Sequence, residues 1–229
     1  MDFAKTMHRR YYHALSFFYL FDALREARAP NVLGQEEAEA NVKTMSGYRH
    51  FFILAEKAFR TNCLLELAKM FDTSKQALSI NKVLGFTEGN MKNLTVEAFE
   101  EYNQNRSREF LDELVVKYKA MNYGELVDIK KMLDRHADTL ARLETYRDKW
   151  LAHDDVEKPQ PPELTVDEIR DLLDVLARVL NAITGRLNSE TWTYSHVEAE
   201  AKGDVRTVID HLRRFEPYKR QETEQMLRK

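Results

Sequence analysis

A short segment near position 150 contains the residue types needed to cleave RNA without a metal ion. Its sequence, YRDKWLAHDD, places Arg147, Asp148 and His153 within two helical turns of one another, beside Trp150. A guanidinium binds phosphate through paired N–H donors, and an imidazole exchanges protons near neutral pH. Together they are the minimum set for general acid–base cleavage of RNA.

The spacing of this pair is not specific by itself. In a chain of 229 residues with 19 arginines and 7 histidines, about 1.7 arginine–histidine pairs with four to six intervening residues are expected by chance. Two occur, Arg147 with His153 and Arg206 with His211. The second pair lies in a stretch crowded with charges, which is typical of a solvated helix face. Context must therefore support the first.

The segment follows a predicted amphipathic helix that a turn at 122–124 initiates. Its apolar positions form a near-heptad seam: Leu126, Ile129, Leu133, Ala137, Leu140, Leu143 and Trp150. Arg147 falls on that seam, where a guanidinium is costly unless it has a partner or lines a cleft. The alternative is an arginine whose stem packs along the helix while its head stays in water.

Helical geometry limits how Arg147 and His153 can meet. Six positions along a straight helix rotate the second residue by about 240° from the first. The pair converges only if the helix ends before His153, or if two chains pack so that both pairs line one cleft.

The rest of the chain predicts an all-α helical bundle with long antiparallel helices. Only 7 glycines and 5 prolines occur, and apolar spacings of three and four dominate. We expect one domain over 1–229, with a core at about 41–187 and added helices at 3–28 and 204–228. Within it, 37–71 predicts one long helix, and Thr165 with Glu168 predicts a capping box. Residues 191–197 alternate in polarity and predict an extended segment or a short strand.

Composition and motifs exclude several classes of function. With a net charge of −3, the chain lacks the excess of basic residues that is typical of a protein that coats nucleic acid. A single cysteine, Cys63, excludes an internal disulfide and a four-cysteine zinc site. Neither a Glu-x-x-His pair, a phosphate loop nor a Gly-x-Ser-x-Gly elbow occurs. We therefore expect no cofactor, no metal, no membrane span and a cytoplasmic location.

Two segments resemble the HEPN superfamily, specifically its abortive-infection AbiU-like branch. YRDKWLAHDD is similar to the arginine–acidic–lysine and alanine–histidine–acidic signature of that branch. CLLELAKMFDTSKQALSINKVL is similar to its upstream helix, Phe-Asp turn and serine-initiated short helix. The resemblance extends over about 41–187 and leaves the first and last 40 residues uncovered.

The resemblance implies a helical dimer with a shared cleft and a metal-independent endoribonuclease acting in phage defence or toxin–antitoxin growth control. It implies that His153 transfers protons, that Arg147 holds the scissile phosphate, and that Asp148 is the polar residue beside it. Arg142 and Lys149 would contact RNA, and an antitoxin or another protein is a possible partner. Two alternatives stay open: a catalytically silent HEPN module that binds RNA or protein, and an unrelated bundle with a chance match.

Overall fold

The computed structural model describes residues 3–74, 76–151, 162–187 and 189–227, and within these ranges it contains helices and no strand. In chain order the helices are α1 (Phe3–Glu26), α2 (Pro30–Leu33), α3 (Gln35–Ser46), α4 (Arg49–Phe71), α5 (Ile80–Gly89), α6 (Val96–Tyr102), α7 (Arg108–Lys117), α8 (Tyr123–Asp134), α9 (Ala137–Tyr146), α10 (Val166–Leu187) and α11 (Ser195–Leu227). A 3₁₀ turn covers Met91–Asn93 and a π-helical turn covers Arg147–Leu151. The prediction of an all-α bundle is confirmed. No described helix has both the length and the apolar character needed to cross a bilayer.

The chain divides into two compact units, of which the first contains Met1–Ala14 and Leu64–Thr193. Its central helix is α10, which packs against α8. Apolar side chains of α10 are buried at spacings of three and four: Ile169, Leu172, Leu173, Leu176, Val179, Leu180 and Ile183. The predicted capping box starts this helix, since the Thr165 N–H donates to the Glu168 carboxylate at 2.9 Å and the Glu168 N–H donates to Thr165 Oγ1 at 3.2 Å.

The second unit contains Leu15–Cys63 and Tyr194–Lys229. It brings together the end of α1, α2, α3, the first part of α4, and α11. Its core is a cluster of buried apolar side chains: Ala23, Leu24, Ala27, Met45, Phe52, Val205 and Ile209. Gly34 joins α2 to α3 with a φ of 84°, in the left-handed region that favours glycine.

The single long helix predicted over 37–71 is wrong, because the structure divides it into α3 and α4 at Gly47 and Tyr48. Thr44 Oγ1 and Ser46 Oγ donate to backbone carbonyls four residues earlier. Such bonds bend a helix, and a glycine directly afterwards weakens it further. Apolar residues keep a helical spacing on both sides of the break, so the sequence pattern did not reveal the break.

The predicted helix leading to Arg147 is also interrupted. α8 ends at Asp134 and α9 begins at Ala137, and between them the His136 N–H donates to the Leu133 carbonyl at 2.9 Å, three residues back. Leu126, Ile129, Leu133 and Leu143 are buried as the seam predicts. Ala137 is exposed although it lies on the same face as Leu133 and Leu140, with which it lines a cavity.

Both terminal helices differ from their predicted limits. α1 ends at Glu26 rather than 28. α11 begins at Ser195 rather than 204, because the strong helix formers at 198–202 outweigh the alternating pattern before them. The described residues 191–194 have no regular structure. The single domain over 1–229, with its core at about 41–187, stays a prediction.

Candidate functional site

Arg147 lies at the junction between α9 and the π-helical turn. Its side chain is 23% exposed, so it is neither a core residue nor a free surface residue. A π-helical turn is rare and often occurs at functional sites. The sequence predicts that a guanidinium on the seam has a partner or lines a cleft. Arg147 has carboxylate partners and also lines a cavity.

Three carboxylates surround the Arg147 guanidinium. Arg147 Nε donates to Asp148 Oδ1 at 2.6 Å, Nη1 lies 3.3 Å from Asp72 Oδ2, and Nη2 lies 3.7 Å from Glu144 Oε1. The hydrogen bond to Asp148 is the main cause that raises the pKa of Arg147, and the charges of all three carboxylates add to it. The guanidinium is therefore permanently charged and fixed in orientation.

Asp72 connects the two segments that are similar to the AbiU-like branch. It follows α4 in a turn, where its Oδ1 accepts from the Ser74 N–H at 2.7 Å. That backbone hydrogen bond is the main cause that lowers the pKa of Asp72, and the Arg147 charge lowers it further. Asp72 is therefore ionised at neutral pH, and it holds the upstream turn against the start of the π-helical turn.

A cavity of about 220 Å³ opens beside Arg147. One wall is apolar and includes Phe71, Leu140 and Leu143, while Thr73 and Asn81 add polar groups. All of these residues belong to the first unit. Arg147 is thus at the edge of a recess with room for one ring-sized group, since a cavity of roughly 150 Å³ accommodates benzene.

Arg142, predicted to contact RNA, is engaged within the protein. Its guanidinium forms a two-pronged contact with the Glu168 carboxylate and donates to the Glu163 carbonyl at 2.7 Å and to Asp138 Oδ2 at 3.2 Å. The Arg142 hydrogen bond lowers the pKa of Glu168 to about 2, with help from the Thr165 N–H. Arg142 thus stabilises the start of α10, and its contact with RNA stays a prediction.

The other predicted site residues are only partly described. Asp148 is a direct partner of Arg147 and Lys149 is exposed on the π-helical turn. His153 and the side chain of Trp150 lie outside the described residues. The convergence of Arg147 with His153 therefore stays a prediction.

Sequence reasoning missed Asp72 and Glu144 as partners of Arg147, and Glu168 as the partner of Arg142. The spacing of three between Glu144 and Arg147 was a usable signal, because side chains three apart on a helix are neighbours. Asp72 lies in the Phe-Asp turn of the upstream segment that is similar to the AbiU-like branch. Nothing local showed that this turn reaches Arg147.

The arrangement allows Arg147 to bind an anion while keeping its carboxylate partners. Arginine has five N–H donors. Nε is occupied by Asp148, and the Nη contacts at 3.3 and 3.7 Å exceed the usual hydrogen-bond range of about 2.7–3.2 Å. N–H groups on Nη are thus available to a phosphate. The neighbouring carboxylates oppose that binding by charge repulsion.

Comparison with known proteins identifies the family. A family model described as AbiU2, of the HEPN type, matches residues 2–208. This match is longer than the resemblance over 41–187, because it includes α1 and the first part of α11. No curated protein and no solved structure matches the chain. Since the match covers far more than half of its length, the chain belongs to the HEPN AbiU2 family.

Proposed function

We propose that the protein is a metal-independent endoribonuclease in which Arg147 binds the scissile phosphate and His153 transfers protons. The observation that carries the proposal is the ion pair between Arg147 and Asp72, 3.3 Å long, which fixes the guanidinium at the edge of a cavity. Family membership supports the proposal, because a HEPN-family domain suggests an abortive-infection role of the ribonuclease type. The proposed setting is phage defence or toxin–antitoxin growth control.

In the proposed reaction the ribose 2′-hydroxyl attacks the adjacent phosphorus atom. His153 accepts the 2′-hydroxyl proton, and the P–O5′ bond breaks to give a 2′,3′-cyclic phosphate and a 5′-hydroxyl end that takes up a proton. Arg147 stabilises the charge that develops on the phosphoryl oxygens. Asp148 orients the guanidinium through Nε, and Lys149 contacts the RNA backbone from the exposed face of the turn.

We propose that two chains pair so that their motifs line one cleft. This pairing brings two guanidiniums and two imidazoles to one RNA strand, which overcomes the rotation of about 240° that separates positions six apart on a straight helix. An antitoxin or another protein partner would act by covering this cleft.

The test is a cleavage assay on total RNA with EDTA present, using protein whose oligomeric state has been measured by light scattering. The wild type should cleave RNA, and His153→Ala should cleave about 10² to 10⁴ times more slowly. The matched control is the double variant Arg206→Ala with His211→Ala, which removes the same residue types at similar spacing from the exposed face of α11. Equal cleavage by wild type and His153→Ala would overturn the proposal.

The second candidate is a catalytically silent module that binds RNA or protein. The three carboxylates around Arg147 favour it, because they oppose the approach of a phosphate. In that case a correctly folded dimer shows no cleavage above background, and Arg147→Ala lowers stability or dimer affinity instead.

A further inference from the structure

The cavity beside Arg147 has the size of a single nucleobase. Its volume is about 220 Å³. A cavity of roughly 150 Å³ holds benzene, which has six heavy atoms; in proportion, a pyrimidine base with eight needs about 200 Å³ and a purine base with ten needs about 250 Å³. The cavity therefore accommodates a pyrimidine, whereas a purine would have to displace its walls or stay partly outside.

The walls of this cavity are mainly apolar. They come from the end of α4, from α8 and from α9, and include Phe71, Leu133, Leu140 and Leu143. Phe71, Leu133 and Leu143 are buried, so these walls belong to the packed core and resist displacement. Apolar walls favour the two faces of a flat ring, which water solvates poorly, and aromatic side chains such as Phe71 add affinity for bases.

Polar groups in the same lining suit the edge of a base. Thr73 adds a hydroxyl and Asn81 adds a carboxamide, and both residues are exposed, which places them towards the mouth. A carboxamide has donors and an acceptor, so it can pair with the edge of cytosine or of uracil. Arg147 lines the cavity as well. A phosphate on its guanidinium and a base in the cavity are therefore close enough to belong to adjacent parts of one strand.

We propose that this cavity binds a pyrimidine base of the RNA, next to the phosphate that Arg147 holds. The inference rests on the proposed function for the position of that phosphate, and it adds the substrate class: RNA with cytidine or uridine beside the scissile bond. Selectivity comes from exclusion, because a purine meets walls that the core holds in place. The preference is a property of binding, so it exists whether or not the bound strand is then cleaved.

Fluorescence anisotropy with the full-length protein and non-cleavable RNA tests the preference. The probes are labelled 2′-O-methyl decamers of cytidine, of uridine and of adenosine, which carry equal charge and lack the attacking hydroxyl. The cytidine and uridine decamers should bind at least about fivefold more tightly than the adenosine decamer, which is the lower end of what one stacked base contributes. A smaller difference, or a preference for adenosine, would overturn the proposal.

Two variants change the size of the cavity in opposite directions. Ala141→Phe adds a ring to the lining from α9 and should lower the affinity for the pyrimidine decamers to that for the adenosine decamer. Leu140→Ala enlarges the cavity and should strengthen adenosine binding until the preference is within about twofold. The matched control is Ala199→Phe, which makes the same replacement at an exposed alanine of α11, outside the lining, and should leave the preference unchanged.

Circular dichroism establishes that each variant is folded, and Ala141 is exposed, so its replacement does not disturb a core. An unchanged preference in folded Ala141→Phe would show that the base binds elsewhere and would overturn the proposal.

The base preference and the proposed ribonuclease activity fail in different ways. Arg147→Ala should weaken the binding of all three decamers by a similar factor, because each of them offers the same phosphates. Cleavage of total RNA together with equal affinity for the three decamers would retain the ribonuclease and overturn the pyrimidine cavity. A pyrimidine preference without cleavage of pyrimidine-rich RNA would retain the cavity and overturn the ribonuclease.

Discussion

Arg142 and Arg147 lie five positions apart and are similarly exposed, at 30% and 23%, yet their surroundings differ. Arg142 meets Glu168 in a two-pronged contact, binds the Glu163 carbonyl and makes a single contact with Asp138. Arg147 meets three carboxylates through single contacts, and a cavity opens beside it. An arginine whose N–H groups are taken up by a two-pronged contact in a helix cap stabilises the fold, whereas one held by several single contacts keeps N–H groups for a ligand.

The largest expected effect separates the two arginines by catalysis. Arg147→Ala should lower the initial rate of RNA cleavage by about 10² to 10³, the effect of removing one donor that stabilises developing charge. Arg142→Ala should stay within a few fold of the wild type. Rates are measured on one defined RNA with EDTA present. A larger loss of rate in folded Arg142→Ala would contradict the comparison and support the predicted contact of Arg142 with RNA.

The next effect reverses the order of the two arginines. Arg142→Ala should lower the free energy of unfolding more than Arg147→Ala does, because it removes a two-pronged contact with a carboxylate and a hydrogen bond to a backbone carbonyl. Arg147→Ala should lower it by about 1 kcal/mol or less. Urea denaturation followed by circular dichroism measures both. Equal losses would show that the two arginines have the same structural role.

A smaller effect concerns the position of Arg147. Asp72→Asn removes the charge 3.3 Å from Nη1 but keeps an oxygen that can accept from the Ser74 N–H. We expect the cleavage rate at saturating RNA to fall about tenfold, because a misplaced charge stabilises the transition state less well. The RNA concentration at half-maximal rate should not rise, because the lost carboxylate opposes phosphate binding. An unchanged rate would show that Asp148 and Glu144 suffice to place Arg147.

The smallest effect is the pH dependence of the Arg142 pair. Glu168 has a pKa of about 2 in the folded protein, against 4.5 without these contacts. As the pH falls the unfolded chain therefore binds a proton first, and the stabilisation is full above about pH 4.5 and lost as the pH falls through about 2. The difference in unfolding free energy between wild type and Glu168→Gln should shrink across that interval. A difference that is constant with pH would mean that Glu168 acts through packing alone.

Local patterns predicted much of the fold because the interactions behind them are local. Thr165 and Glu168 are three positions apart, so the capping box that starts α10 could be predicted from the sequence. The break at Gly47 could not, because apolar spacing is the same in one long helix and in two short ones. The sequence did not predict the early start of α11. The alternating polarity of 191–197 indicated an extended segment, whereas in the structure the helix formers at 198–202 extend the helix back to Ser195.

The sequence predicted only those parts of the candidate site that lie in the segment around Arg147. An arginine on an apolar seam indicated a partner or a cleft, and both are present. The identity of Asp72 depends on how α4 and its following turn pack against α9, which no periodicity encodes. Arg142 was predicted to contact RNA because it is a basic residue near the motif. Its nearest carboxylate is Glu168, in the cap of another helix, and this contact depends on tertiary packing that the sequence pattern does not show.

The π-helical turn at Arg147–Leu151 changes what a motif spacing measures. Its hydrogen bonds join residues five apart, whereas those of an α-helix join residues four apart. The π-helical turn therefore contains one residue more than an α-helical turn does. A relative with one residue fewer after its arginine can keep the same side-chain directions by closing this turn as an α-helix. The backbone of this turn can therefore absorb the loss of one residue without redirecting the side chains on either side of it.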